Sequence, residues 1–321
     1  MRGIRRVISI SAFALVALVA AAQPYPSKPV RVIVSFPPGA GVDIVARTIT
    51  PRLADAFGQQ FVVDNRAGAS GNLGSEVAAR AVPDGYTLLF TPASVASSQA
   101  LYQKLGYNLE KDLAPISIIA AAPFVLVVHP SLPVKTVKDL IAMAKAKPGQ
   151  LLYASTGNGG SPHLAMELFK MQAKIDIVHI PYKGTPPAVT DLIAGQVSMM
   201  FANTLSVLPY VNSGRLRALA ISSAKRSASA PALPTIAETG MPGFEASTWF
   251  GMLAPTGTAK EILARLTGEL RKIVQTKSVS DSLIAQGADP IGSTAEEFQA
   301  RIKSDIDKWT RTIKAAGVRA E

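Results

Sequence analysis

Three histidines, His129, His163 and His179, are the only imidazole bases in the chain, and there is no cysteine. A thiol nucleophile, a disulfide framework, a thiolate zinc site, an Fe–S cluster and a lipidated cysteine are thereby excluded. A catalytic serine would need one of those histidines within hydrogen-bond reach. None lies in a Gly-x-Ser-x-Gly elbow, and Ser70, in Gly68-Ala69-Ser70-Gly71, lacks the final spacing. His129 ends an apolar run before Pro130 and His179 lies within one, which reads as structural use. His163 and Glu167 alone share helical i,i+4 spacing, and without a third ligand they do not make a metal site. No Gly-x-Gly-x-x-Gly follows a strand and no Gly-Lys-Ser/Thr occurs, so dinucleotide and P-loop readings fail and no cofactor is expected. Spacing alone does not test a pair of glycosidase carboxylates. Nothing in these residues supports an enzyme.

A different feature recurs. Short polar or Gly-rich segments sit where a strand pattern gives way to a helix pattern: Phe36 to Asp43, Thr91 to Ser94, Ser155 to His163, Tyr182 to Pro187 and Ala202 to Ser206. In open α/β folds such loops gather at the carboxyl ends of the strands, where ligands bind. Helix N-termini there present unpaired N–H groups and the positive end of the dipole, an anion site that needs no Arg or Lys. Gly, Ser and Pro are also ordinary turn and capping residues, so the weight lies in the repetition of the junction. Carboxylate or phosphate binding is the expected chemistry.

The elements that would carry these loops alternate along the chain. Val30 to Phe36 is a β-branched strand pattern, and Val42 to Phe57 is amphipathic, with Pro51 expected to kink or split the helix. Gln60 to Asp64 and Thr87 to Thr91 read as strands around a helix at Leu73 to Ala81. Residues 115 to 128 form a long apolar run that would cross between lobes, and Phe250 to Leu253 is a second crossover. Between them, strands at Leu151 to Ser155, Ile177 to Ile180, Met199 to Ala202 and Leu216 to Ile221 alternate with helices at Pro162 to Gln172, Thr185 to Gly195 and Leu205 to Ser213. Thr136 with Asp139, and Thr294 with Glu297, mark two helix starts by their capping pairs. The tail is helical over Ala259 to Thr276, Val279 to Gln286 and Thr294 to Ala316. Alternation of this kind predicts an α/β fold with parallel sheets. Two units joined by two connectors predict two lobes, the first built from both ends of the chain.

The formal charge of +11 overstates the basicity of the working protein. Residues 1–22 read as a secretory signal peptide: Arg2, Arg5 and Arg6 precede an apolar stretch from Val7, and Ala20-Ala21-Ala22 offers a cleavage site. The apolar stretch is shorter than the ~20 residues of a spanning helix. The three arginines leave with it, and most of the remaining excess is scattered through residues 126–247. Scattered charge with few aromatics argues against a nucleic-acid surface and fits small anions better.

The wording of several segments is itself informative: PSKPVRVIVSFPPGAGVDIVAR, VVDNRAGASGNLGSEVAARAVPDGYTLLF, STGNGGSPHLAMELF, HIPYKGTPPAVTDLIAGQV, GRLRALAISSAKR and GFEASTWFGMLAPTGT. In order and over nearly the whole chain, they resemble the substrate-binding receptors of tripartite tricarboxylate transporters, the Bug or TctC-like family. The resemblance implies a type II periplasmic binding protein with two α/β lobes joined by two hinge strands. Residues 23–125 with 248–321 would form lobe 1 and residues 126–247 lobe 2. It implies a monomeric, periplasmic receptor that is not lipid-anchored and not an enzyme, with membrane permease subunits as partners, no metal and no nucleic acid. By the same resemblance, the Phe36 to Asp43 loop (Phe36, Gly39, Ala40, Gly41, Asp43) faces Thr156, Gly157, Ser161 and His163 across a ligand carboxylate. Ser94, Tyr182, Lys183 and Asn203 match further contact positions, Lys183 as a counter-charge to a second carboxylate. Family members carry two adjacent glycines where this chain has Gly39-Ala40, and a positive φ at Ala40 would be strained. Asp43 also reads as a first-turn carboxylate favoured by the helix dipole, and Ser161 as a helix cap. Trp249 reads as core packing at the hinge. Two other functions remain: a receptor that presents its ligand to a membrane sensor, and a secreted hydrolase using one of the three histidines.

Overall fold

Strand and helix patterns alternate in the computed structural model as they do in the sequence. The structure describes residues 25–319, so the signal peptide expected over residues 1–22 lies outside the described residues. The chain runs through β1 (Val30–Val34), α1 (Gly41–Phe57), β2 (Phe61–Asn65), a 3-10 turn (Ala69–Gly71) and α2 (Asn72–Ala79). It continues through β3 (Thr87–Pro92), α3 (Ser94–Leu101), α4 (Leu109–Asp112), β4 (Leu113–Ala122), β5 (Phe124–Val128) and α5 (Val137–Ala146). Then follow β6 (Leu152–Ser155), α6 (Ser161–Ala173), β7 (Val178–Pro181), α7 (Thr185–Ile193), β8 (Met199–Asn203), α8 (Thr204–Asn212) and β9 (Arg217–Ile221). The last elements are β10 (Thr248–Pro255), α9 (Lys260–Gln275), α10 (Lys277–Ala285), β11 (Asp289–Pro290) and α11 (Ala295–Ala316). Pro51 does not split α1, which runs as one helix through it, and both sheets carry antiparallel strands where all-parallel sheets were expected. Pro51 and Arg47, whose carbonyl loses its N–H partner, both lie on the exposed side of the helix.

The strands form two sheets, ordered β11-β4-β10-β3-β1-β2 and β7-β6-β8-β5-β9. In the first, β1 is parallel to β2 and β3, and β10 runs against both β3 and β4. The carboxyl ends of β1 to β4 therefore share one edge. In the second, β6 is parallel to β7 and β8, while β5 opposes β8 and β9, pairing its first residue Phe124 with Asn203 at the end of β8. The carboxyl ends of β6 to β9 thus lie where β5 begins. Since β4 ends at Ala122 and β5 starts at Phe124, the long apolar run crosses between sheets at Pro123, and the two carboxyl edges face each other across that crossing. The second connector re-enters alongside it, with Thr248 paired to Ala122.

Ser222, fully buried, ties the two connectors together. Its hydroxyl accepts from the Phe124 N–H at 2.8 Å and donates to the Ala246 carbonyl at 3.0 Å. Ser222→Ala leaves both backbone groups unpaired, and we expect a loss of roughly 1–2 kcal/mol in urea unfolding. An unchanged midpoint would mean that water replaces the hydroxyl.

Each sheet is covered on both faces. Val42, Ile49 and Leu53 of α1 pack with Leu266 and Leu270 of α9 and Leu283 of α10 on one face of the first sheet, and Ala78 and Ala96 pack on the other. Leu140, Leu164 and Phe169 of α5 and α6 cover one face of the second sheet, and Ala188, Leu192 and Val207 of α7 and α8 the other. Helix α11 belongs to both: Phe298 and Ile302 enter the core of the first sheet, and Trp309 and Ile313 that of the second. At 22 residues it is about 33 Å long, enough to span both. Asp305 lies in the middle of this buried stripe, where α11 passes the connectors. Its Oδ2 accepts from Trp249 Nε1 at 2.8 Å and Arg301 Nε at 2.9 Å, and its Oδ1 lies 3.1 Å from Lys308 Nζ.

Candidate functional site

Six helices, α1, α2, α3, α6, α7 and α8, begin just after a strand reaches the facing carboxyl edges. None of the six has a side chain capping its N-terminus. The helices with a side-chain cap, from Asn108 on α4, Thr136 on α5 and Thr294 on α11, start elsewhere. Helices α9 and α10 also start uncapped away from this edge, so the distinguishing feature is the gathering of six such starts on it. First-turn N–H groups without an intrahelical partner carry partial positive charge, and an anion in the gap satisfies them without a cationic side chain.

On the first sheet, the loop after β1 is held from within. Asp43 is buried and accepts from the Gly39 N–H at 2.9 Å, Asn65 Nδ2 at 2.9 Å and Arg47 Nε at 3.0 Å. Burial pushes its carboxyl up, but the hydrogen bonds from Arg47, Asn65 and Gly39 outweigh it and hold the group below the ordinary range. Its oxygens are therefore occupied in shaping the loop. Phe36 is half-buried, and its carbonyl accepts from Asn65 Nδ2 at 2.9 Å. Gly39 takes φ +81°, whereas Ala40 is extended at φ −68°, so alanine at position 40 is unstrained. Gly41 opens α1 beside the Phe250 ring. Ser94 opens α3, and its buried hydroxyl has no hydrogen-bond partner among the described residues.

Sequence reasoning missed Asn72. It opens α2, its Oδ1 accepts from the Tyr107 hydroxyl at 2.9 Å, and its buried Nδ2 has no partner among the described residues. The signal was an asparagine directly after Gly71 at a helix start. It also missed Gly74, where a Cβ would stand 2.7 Å from the Arg66 carbonyl oxygen and 2.9 Å from Ser35 Cα. Those neighbours are backbone, so Gly74→Ala must push α2 off the end of β1. We expect about 1–3 kcal/mol of destabilisation and weakened ligand binding from the displaced Phe36–Gly41 loop. Unaltered affinity would show that α2 does not set that loop.

On the second sheet, Gly160, not Ser161, is the N-cap of α6. The half-buried Ser161 side chain caps nothing and stands at the edge beside half-buried Thr156. Gly157 takes φ +127°, a conformation suited to glycine. Tyr182 is committed elsewhere: its hydroxyl donates to Asp191 Oδ2 at 2.7 Å, and burial together with that carboxylate pushes it up to about 12. Lys183 is exposed, and Asn203 is an exposed N-cap residue whose side chain makes no capping bond. His163 is buried and points back beneath its own loop, where Nδ1 accepts from the Gly159 N–H at 2.9 Å. Burial, then the neighbouring His179 and Lys170, push His163 down to about 3.

The other histidines have structural partners. His129 Nδ1 and Ser131 Oγ are 2.7 Å apart, and His179 Nε2 and Ser155 Oγ 2.6 Å. The second pair has the separation of a nucleophile and base, but Ser155 is fully buried and its hydroxyl is also bonded to both the N–H and the carbonyl of Gly157. Trp249 is buried against Phe298, as core packing predicts, with ring centroids 4.8 Å apart. Among the described residues, no group of three His, Asp or Glu side chains is placed to hold a metal ion.

Residues 45–318 match the family described as the tripartite tricarboxylate transporter family receptor. Over 300 residues the chain is 40% identical to Protein BugT of Bordetella pertussis, covering 93% of this chain and 92% of that protein. Among solved structures, R. palustris Rpa4515 with adipate is 36% identical with a TM-score of 0.79, covering 92% of this chain and 99% of that one. MatC from Rhodopseudomonas palustris, with bound malate, is 29% identical with a TM-score of 0.75, covering 90% and 100%.

Proposed function

The chain belongs to the tripartite tricarboxylate transporter receptor family, and from that premise we propose that it captures a small organic carboxylate and delivers it to a membrane permease of that transporter type. As a member of this family it is a solute-binding receptor and not an enzyme, with the two-sheet α/β architecture of the periplasmic binding proteins it matches. The observation that carries the finer reading is the convergence of six uncapped helix starts, from two sheets, on one gap. Such a gap recognises a carboxylate by backbone N–H groups and hydroxyls. The relatives with bound adipate and malate give the same chemical class.

In this reading, residues 23–125 with 248–321 and residues 126–247 are lobes that close on the ligand about the Pro123 and 222–248 connectors. The Gly39–Gly41 and Gly157 backbone, with Ser94, Thr156 and Ser161, meets one carboxylate, and Lys183 and Asn203 meet the rest of the molecule. Phe36 walls the gap, while Asp43, His163 and Tyr182 hold their loops in shape. The leader sends the receptor to the periplasm, free of a lipid anchor.

A thermal-shift panel of mono-, di- and tricarboxylates, amino acids and aromatic acids tests the ligand class. A ligand bound only by the folded state raises the melting temperature by several degrees when present far above its Kd. A shift with sugars or cations and with no carboxylate would overturn the reading. Labelled uptake of the responding carboxylate, with and without receptor added to spheroplasts, tests delivery.

A further inference from the structure

Beneath the Thr156–Gly160 loop stands a column of three rings. His163 stacks on His179 with centroids 3.9 Å apart and planes 10° apart, and His179 stacks on Tyr153 at 4.8 Å and 18°. The column is fixed at its base. The Tyr153 hydroxyl donates to Glu167 Oε1 at 2.5 Å, and Lys170 Nζ donates to the same oxygen at 2.8 Å. Each histidine then reaches the loop through one ring nitrogen. His163 Nδ1 accepts the Gly159 N–H, and His179 Nε2 meets Ser155 Oγ, which is itself bonded to Gly157. The loop needs such support, because Gly157 and Gly159 both have positive φ, +127° and +70°, and glycine has the most backbone freedom to lose.

We propose that the stacked His163–His179 pair sets the shape of the Thr156–Gly160 loop, and through it the affinity of the cleft, without either ring touching the ligand. Both histidines are positioning residues. The inference on affinity rests on the carboxylate reading of the cleft, whereas the inference on loop shape does not. The pair also explains why His163, at helical spacing from Glu167, is no catalytic base: its Nδ1 lone pair is occupied by a backbone N–H. A cavity of about 480 Å³, lined by Asn158 of the loop and by His163, His179, Glu167, Lys170 and Arg319, leaves room for the rings to shift once those bonds are broken.

The test is amide hydrogen exchange on the mature protein without ligand, followed by titration with succinate, adipate and citrate. His163→Ala is expected to speed exchange at Gly157 and Gly159 at least tenfold while leaving β4 and β10 protected. It should weaken binding of the responding probe about tenfold, the worth of one net hydrogen bond. His163→Asn, whose Oδ1 stands near the former Nδ1, should restore protection at Gly159, which a merely space-filling role would not require. Should His163→Ala fail to fold, His179→Gln serves instead, and its expected result is faster exchange at Gly157. Unchanged exchange at both glycines would overturn the proposal whatever the ligand. Altered exchange with unaltered Kd would overturn its affinity half, and failure of every probe to bind the unmodified protein would instead sink the carboxylate reading.

Discussion

Asp305→Ala is expected to cost about 3 kcal/mol, the largest loss at any single position considered. Removing one partner of a buried charge network typically costs ~3–5 kcal/mol, because the remaining charges stay out of water without compensation. Here two donors, Trp249 Nε1 and Arg301 Nε, lose their acceptor at once, and Lys308 loses an ion-pair partner. The loss is held to the lower end because Glu245 still pairs with Arg301 at 2.8 Å and Lys308 at 2.9 Å. Burial pushes the Glu245 carboxyl up, but Lys308 and Arg301 hold it at about 2, so it keeps its charge through neutral and mildly acid solution. Asp305→Asn retains an acceptor for the Trp249 indole and should fall between. Urea unfolding at pH 7 decides the matter, and a loss under 1 kcal/mol for the alanine variant would show that the cations find water when Asp305 is gone.

Acidification from pH 7 to pH 5 is expected to remove about 2 kcal/mol of stability through His163. In the unfolded chain this imidazole titrates near pH 6.5. In the folded protein, burial and the neighbouring His179 and Lys170 keep it from taking a proton until about pH 3. Between those values the unfolded state binds more protons, so stability is fully present above pH 6.5 and falls as the pH is lowered. His179 is displaced in the same direction, first by burial, and adds to the slope. The charged and titratable groups around His163 are His179, Tyr153, Glu167 and Lys170, with Arg319 across the cavity. Carboxylates held low, such as Asp43 and Asp64, lose their contribution only below about pH 4 and leave this window untouched. His163→Gln should flatten the dependence of unfolding free energy on pH between 7 and 5. An equally steep slope in that variant would assign the effect to other groups.

Much of the fold is legible because period and punctuation agree. Both capping pairs, Thr136 with Asp139 and Thr294 with Glu297, open helices with both reciprocal hydrogen bonds formed. The apolar run over residues 115–128 crosses between sheets, broken only at Pro123. Pro51 does not split its helix, because a proline's consequence depends on which side of the helix it occupies, a property of tertiary packing. Strand β11 has only two residues and no periodicity to detect.

The candidate site is legible as a set of loops and much less so as a set of side chains. Where a loop opens a helix, composition points to it, since Gly, Ser and Pro mark the junction. Whether Asp43 faces a ligand or its own loop depends on Asn65, 22 positions away, and whether Tyr182 is available depends on Asp191. His163, which the family resemblance set against the ligand, has its Nδ1 taken by the Gly159 N–H and its ring stacked on the distant His179. Such assignments rest on contacts that no local pattern encodes.

Helix α11 bears on how the molecule melts. The strands of the second sheet form one unbroken stretch of chain, residues 124–221, and in isolation that stretch has the length of an independent folding unit. Yet its core contains Trp309 and Ile313, supplied by a helix whose first turns are embedded in the other core. The core of the second sheet is incomplete without that helix. The two sheets are thus bound into a single cooperative transition, so scanning calorimetry should record one endotherm where the two-sheet architecture alone would suggest two. A fragment ending before α11 should retain secondary structure without a sharp melt.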